Sequence, residues 1–172
     1  MQTTGVQHPV HPYLQWYEGG LALARSMLRC NQAAQDVLQS AFDKALVAKR
    51  LPEDEPAQRV WFYKVIRNGC LDALRYSQRF VADSENELFS NSESFTDPVE
   101  LSQQQMWVRQ ALMQLNSEQR EIIVLRDVNE LSYAEIAQVL QLNSGTVMSR
   151  LHRARLALRE QLLALAADIV SS

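Results

Sequence analysis

The chain has 172 residues, 47% of them hydrophobic and 22% charged, with only five Gly and five Pro. Such a composition describes a water-soluble globular protein of one ordinary domain or two small ones, and scarce Gly and Pro weigh against an all-β fold. The formal net charge is −3, which excludes a uniformly basic nucleic-acid binder but not a segregated one, since encounter with phosphates depends on local field.

Residues 1–12 form an N-terminal extension in which His8 and His11 sit beside prolines. Two such histidines define no metal site, and neither a metal nor a cofactor is expected. No basic segment followed by an apolar run marks a signal peptide. From 13 to 79 the pattern is helical. An apolar face runs through Leu14, Tyr17, Leu21, Ala24 and Leu28, weakened by Gly19-Gly20. A second helix over 33–47 repeats at Val37, Leu38, Ala41, Phe42, Ala45 and Leu46. Pro52 and Pro56 break it, since each disfavours helix in the residue before it. Pro56 then opens a third helix over about 57–76, with Val60, Trp61, Val65, Leu71 and Leu74 as its apolar positions.

From residue 78 the periodicity disappears. Between 81 and 100 stand Asp83, Glu85, Glu87, Glu93, Asp97 and Glu100 without a Lys or Arg, so 80–98 is expected to be a flexible acidic linker. Such a tether would also skim neighbouring basic faces and discourage binding to DNA. Residues 99–172 then hold four helices, at about 99–115, 117–127, 132–140 and 143–165. Ser117 is a candidate cap for the second of these, and Ser132 with Glu135 has the spacing of a capping box for the third. Cys30 and Cys70 are isolated and read as free thiols of a reducing compartment. No apolar run is long enough to span a membrane, so the expected location is the cytoplasm.

The last two helices carry the most information. In 143–165, Val147, Leu151, Ala154, Leu158, Leu162 and Leu165 fall within about 80° of one another at ~100° per residue. Thr146, Ser149, Arg150 and Arg153 lie opposite, flanked by His152, and 144–159 holds Arg150, Arg153, Arg155 and Arg159 with no acid. One face glued to the domain and one polar, basic face is the division that a helix-turn-helix requires, with its second helix free to enter a major groove.

At these residues the chain resembles the bacterial extracytoplasmic-function sigma factors of RNA polymerase, within the sigma-70 family. The likeness is carried by Ala111-Leu112, Leu115, Arg120, Ile122-Ile123, Leu125, the run from Glu130 to Ala137, and the run Gly145-Thr146-Val147-Met148-Ser149-Arg150-Leu151-His152-Arg153-Ala154-Arg155 with Leu158. A second, separate likeness covers Trp61-Phe62-Tyr63-Lys64-Val65-Ile66-Arg67-Asn68 and Leu71-Asp72-Ala73-Leu74-Arg75. The resemblance implies an all-α protein of two small helical domains, region 2-like and region 4-like. The first would meet core polymerase and the −10 element, the second the −35 element, and the protein itself would be no enzyme.

By resemblance Lys64, Arg67, Asn68 and Arg75 suit the −10 element, and Trp61, Phe62 and Tyr63 invite a stacking role that the apolar position of Trp61 opposes. Ser149, His152 and Arg153, with Thr146 beside them, are expected at −35 base edges, and Arg150 and Arg155 mainly on phosphates. The implied contacts with core polymerase, on its β and β′ subunits, are Asp36, Gln39, Ser40 and Asp43. The chain departs from the family at Ala33-Ala34-Gln35-Asp36, where an acidic cluster is usual. Weakened docking is the expectation, made good by a partner or by a kinase that adds charge, with Ser40 as a candidate acceptor; an anti-sigma factor is a further candidate partner. It departs again at Gln141, where glycine is common in the turn. Two rivals remain open on sequence alone: a stand-alone helix-turn-helix regulator and a helical interaction or sequestering module.

Overall fold

The computed structural model describes residues 12–83 and 102–170. All regular structure among them is helical. A 3-10 turn, Pro12–Trp16, feeds α1 (Tyr17–Leu28), followed by α2 (Asn31–Val47) and α3 (Glu55–Asp83). The second half comprises α4 (Gln103–Gln114), α5 (Ser117–Ile123) with a widened π turn at Val124–Val128, α6 (Tyr133–Leu140) and α7 (Ser144–Val170). Both halves follow the expected order. The acidic linker lies largely outside the described residues, as do His8 and His11, and α3 continues to Asp83, beyond the expected boundary.

Local chemistry explains most helix ends. Asp54 caps α3 by accepting the Ala57 N–H at 3.0 Å. Ser102 and Gln105 form a capping box on α4, and Ser132 and Glu135 form the expected one on α6. At α5 the cap is Asn116, one residue before Ser117, because Asn116 Oδ1 accepts the Gln119 N–H at 2.9 Å and Gln119 reciprocates. Each cap satisfies amides that a helix leaves unpaired at its start.

Burial corrects two predicted faces. In the first helical stretch Tyr13 and Trp16 are buried while Leu14 and Tyr17 are exposed, because the opening 3-10 turn advances by three residues rather than 3.6. In α3, Phe62, Tyr63, Ile66 and Cys70 are buried, and Trp61, Val65 and Leu71 only half-buried against them. This helix is covered on two sides, by α1 and α2 and also by α6. Phe62 sits among Tyr13 and Phe42, with ring centroids 5.4 and 5.3 Å away, and each such pair adds about 0.5–1.5 kcal/mol beyond area burial. Burial pushes the Cys70 thiol up to about 12, so it is an inert core group at neutral pH.

Gly19 and Gly20 do not interrupt α1; close approach accounts for them. A Cβ on Gly20 would lie 2.7 Å from Ile66 Cδ1 and 3.0 Å from Leu38 Cδ1. One on Gly19 would run into the Tyr63 hydroxyl and the Asn129 side chain. Asn129 belongs to the second half and donates from Nδ2 to the Gly19 carbonyl at 3.1 Å. The two halves therefore touch. The buried side chains of both, from Leu23, Leu38 and Phe62 to Leu125, Ile136 and Leu151, form one continuous apolar cluster.

Candidate nucleic-acid interface

The α6–turn–α7 unit is built as its pattern requires. Ile136, Val147, Leu151 and Ala154 are buried, and Ala137, Leu140, Leu142 and Leu158 pack half-buried against them. Gln141 ends α6 in the left-handed conformation, φ 57° and ψ 47°, and the Leu142 N–H returns to the Ala137 carbonyl at 2.9 Å. Asn143 then caps α7, its Oδ1 accepting both the Thr146 N–H and the Thr146 hydroxyl at 2.8 Å. A left-handed backbone costs a residue with a Cβ roughly 1–2 kcal/mol relative to glycine. Gln141→Gly should accordingly stabilise the chain by about 1 kcal/mol in urea unfolding, whereas a loss of stability would show that the glutamine side chain holds the turn.

Ser149, His152 and Arg153 are exposed together on the outer face of α7, with Thr146 half-buried at its start. Ser149 donates to the Thr146 carbonyl at 3.1 Å, and Arg153 Nε to the Ser149 carbonyl at 3.3 Å. Two arginines are less open. Arg150 is half-buried, 3.6 Å from a Glu118 carboxylate oxygen. Arg155 meets Asp127 in a two-pronged contact at 3.1 and 2.5 Å. That hydrogen bond holds its guanidinium above its ordinary pKa. Beside it, the Arg126 guanidinium stands over the Tyr133 ring at 5.3 Å.

On α3, Lys64, Asn68 and Arg75 share one face within about 40°. Asn68 and Arg75 are exposed, the latter 3.1 Å from Asp72, and Lys64 is half-buried. Arg67 points elsewhere: its Nε lies 2.5 Å from Glu121 Oε1 of α5. Phe62 and Tyr63 are core groups that present no stacking surface, and Trp61, half-buried, packs on Tyr13 at 5.4 Å between ring centroids.

The Arg67–Glu121 contact belongs to a seam between the halves that the sequence reading missed. Arg59 of α3 grips Glu135 of α6 with both prongs, at 2.9 and 2.6 Å. Glu135 simultaneously accepts the Ser132 N–H at 2.7 Å. Its partial burial raises its pKa, but the bonds from Arg59 and Ser132 outweigh that and leave it below the ordinary value. For Glu121 the balance is reversed: burial dominates over Arg67 and its pKa is raised. Arg120, buried, donates to the Ser26 carbonyl of α1 at 2.5 Å and to the Leu115 carbonyl at 2.9 Å. Arg29 reaches the Met113 carbonyl at 2.8 Å. The available signal was a charged pair, Arg120-Glu121, directly before the apolar run Ile122 to Leu125.

Asp36, Gln39, Ser40 and Asp43 are all exposed on α2. Gln32 donates to Asp36 at 3.0 Å and Gln39 to Asp43 at 3.1 Å. Asp36, Ser40 and Lys44 line a shallow groove against Asp72 of α3. Among the described residues no group of three His, Cys, Asp or Glu side chains is placed to hold a metal ion, and no helix is long and apolar enough to cross a membrane.

Comparison with known proteins places these surfaces in context. A family profile described as "Sigma-70 region 2" matches residues 13–80, and one described as "Sigma-70, region 4" matches 105–158. The ECF RNA polymerase sigma factor SigW of Bacillus subtilis is 30% identical over 151 residues, covering 81% of each chain. RNA polymerase sigma-H factor of Pseudomonas aeruginosa is 34% identical over 143 residues, covering 76% of this chain and 74% of its own. Among solved structures, the sigma factor RpoE of Bartonella quintana, crystallised with the anti-sigma factor NepR, superposes with a TM-score of 0.71 at 27% identity. The match covers 87% of this chain and 93% of RpoE.

Proposed function

Because the chain belongs to the extracytoplasmic-function sigma factors of the sigma-70 family, we propose that it directs core RNA polymerase to a set of promoters and leaves the chemistry of transcription to the polymerase. The observation that carries this reading is the pairing of two faces on one chain. The α7 face of Ser149, His152 and Arg153 has the chemistry and exposure to read base edges in a −35 major groove. The α3 face of Lys64, Asn68 and Arg75 suits the −10 element, where bases leave the stack and are held by polar and basic side chains. Core polymerase meets the exposed α2 face, through Asp36, Gln39, Ser40 and Asp43. A regulator with α7 alone would have no use for the α2 and α3 faces, which disfavours a stand-alone helix-turn-helix protein.

An anti-sigma factor is the partner supported best, since the structurally similar RpoE was crystallised with one. Ser40 stands exposed beside Lys44, Asp36 and Asp72, a position where added phosphate would restore negative charge to a helix short of it. The place of action is the cytoplasm, with the polymerase and the DNA. Run-off transcription with purified core enzyme tests the whole reading, on genomic templates chosen from transcripts that rise on overexpression. New start sites preceded by shared −35 and −10 sequences are the expected result. Initiation nowhere beyond that of core alone, with Ser40-phosphorylated protein also supplied, sinks it.

A further inference from the structure

We propose that the crevice between α1 and α4 is a binding site for a small amphipathic carboxylate, an apolar body carrying one anionic head. The crevice has a volume of about 730 Å³, within the roughly 300–1,000 Å³ in which proteins hold small ligands. Its apolar surface comes from Val108 and Leu112 of α4 and from Val124 and Val128 of the π turn. Val108 and Val128 are 42% and 53% exposed, so apolar area stands open to water, and covering it with a ligand is favourable. The charged part has one sign. Arg25 of α1, Arg109 of α4 and Arg120 of α5 line the crevice, and no Asp or Glu does so among the described residues.

The inner end of the crevice lacks a negative charge. Arg120 is buried, and its acceptors are the carbonyls of Ser26, Leu112, Met113 and Leu115. Arg29 donates to the same Met113 carbonyl at 2.8 Å, so two guanidinium groups converge on one neutral oxygen. Arg29 does so from a left-handed backbone, φ 55°, which is disfavoured for any residue with a Cβ. Burial and Arg29 both lower the pKa of Arg120. Carbonyl dipoles satisfy its N–H groups but leave its net charge uncompensated. An anion in the crevice relieves that repulsion, and planar guanidinium forks match a carboxylate head. Arg25 is already oriented, its Nε donating to Asn31 at 2.8 Å. The site binds without transforming its ligand. Its hydroxyls are engaged locally, Ser26 Oγ donating to the Leu23 carbonyl and Ser102 Oγ accepting the Gln105 N–H, and no His or Cys stands beside them among the described residues. None of the residues assigned to DNA or to core polymerase lines it.

The test titrates the full chain with three probes of equal length, octanoate, octan-1-ol and octylammonium, and follows the Val and Leu methyl signals by NMR. Octanoate should give saturable shifts at Val108, Leu112, Val124 and Val128. The alcohol should bind about tenfold more weakly, since it forfeits the charge-assisted bonds, and octylammonium should not saturate. Arg109→Gln should weaken octanoate about tenfold and leave the alcohol unchanged. Val108→Asp, at an exposed position that the fold tolerates, should abolish octanoate binding by placing a carboxylate in the apolar wall. The proposal is overturned by an absence of saturation, as a crevice already filled from within the chain would give, by shifts confined to other methyls, by an alcohol that binds as tightly as the carboxylate, or by variants that bind octanoate like wild type. Neither DNA nor polymerase enters the titration. A chain that binds octanoate yet fails in run-off transcription therefore counts against the sigma reading alone.

Discussion

Arg120→Ala loses about 3 kcal/mol of unfolding free energy in urea, the largest stability effect expected of any single substitution on this surface-poor seam. The reason lies in where the guanidinium sits. It is buried where the C-terminal ends of α1 and α4 converge, and it donates to Ser26, Leu112, Met113 and Leu115 carbonyls at 2.5 to 3.4 Å. Carbonyls of a last helical turn have no partner within the helix and form the negative end of its dipole. One planar cation therefore answers several orphaned acceptors at once. Burial, with Arg29 nearby, lowers its pKa to about 10, so it stays charged at neutral pH. Alanine strands those carbonyls in a dry seam; lysine, a point charge without the fork, recovers only part of the loss. A loss below about 1 kcal/mol would show that water enters and replaces the side chain.

In holoenzyme binding, Arg153→Ala should reduce discrimination between cognate and scrambled −35 DNA by about 10- to 100-fold, since a good base contact is worth about 1–3 kcal/mol. Its guanidinium is exposed and bonds to its own helix at the Ser149 carbonyl, so it can reach into a groove without dismantling the domain. Arg155→Ala should behave differently. Its bond to Asp127 ties α7 to the π turn, and any phosphate contact must compete with that tie. The expected outcome is a similar loss on all sequences and a smaller salt slope. Fluorescence anisotropy with cognate and scrambled duplexes across a salt series separates the two. Equal losses on both duplexes for both variants would refute this division of labour.

What the sequence disclosed was whatever local chemistry determines. The face of α7, the Ser132–Glu135 cap and the break at Pro52 follow from periodicity and side-chain hydrogen bonding within four residues, and the structure has all three. Gln141, singled out by resemblance because glycine is common in that turn, does adopt the left-handed conformation. Errors arose where a distant partner or a different local rise intervened. Leu14 was assigned inward because a 3.6-residue period was carried across a 3-10 turn. Tyr63 and Ile66 were passed over because α3 is buried from two sides, and a single stripe is all that amphipathicity reveals. The pairing of Arg67 with Glu121 went unseen because the two are remote in the chain. The glycine pair was read as a weakness of α1, though the close approach of Asn129 and Tyr63 to Gly19 and of Ile66 and Leu38 to Gly20 accounts for it, all of them distant in the chain.

The π turn at Val124–Val128 sets the alignment of everything that follows it. It closes with the Asn129 N–H on the Val124 carbonyl and the Leu131 N–H on the Leu125 carbonyl, so one residue more than an ordinary helical turn is taken up there. Each residue turns a helix by ~100°. Without that extra step Asp127 would swing away from Arg155, and Asn129 from Gly19. A bulge of a single amino acid thus acts as the vernier of the molecule, indexing the α6–α7 hairpin against α1–α3 by a rotation, on which the side-chain ties of Asn129 and Asp127 depend.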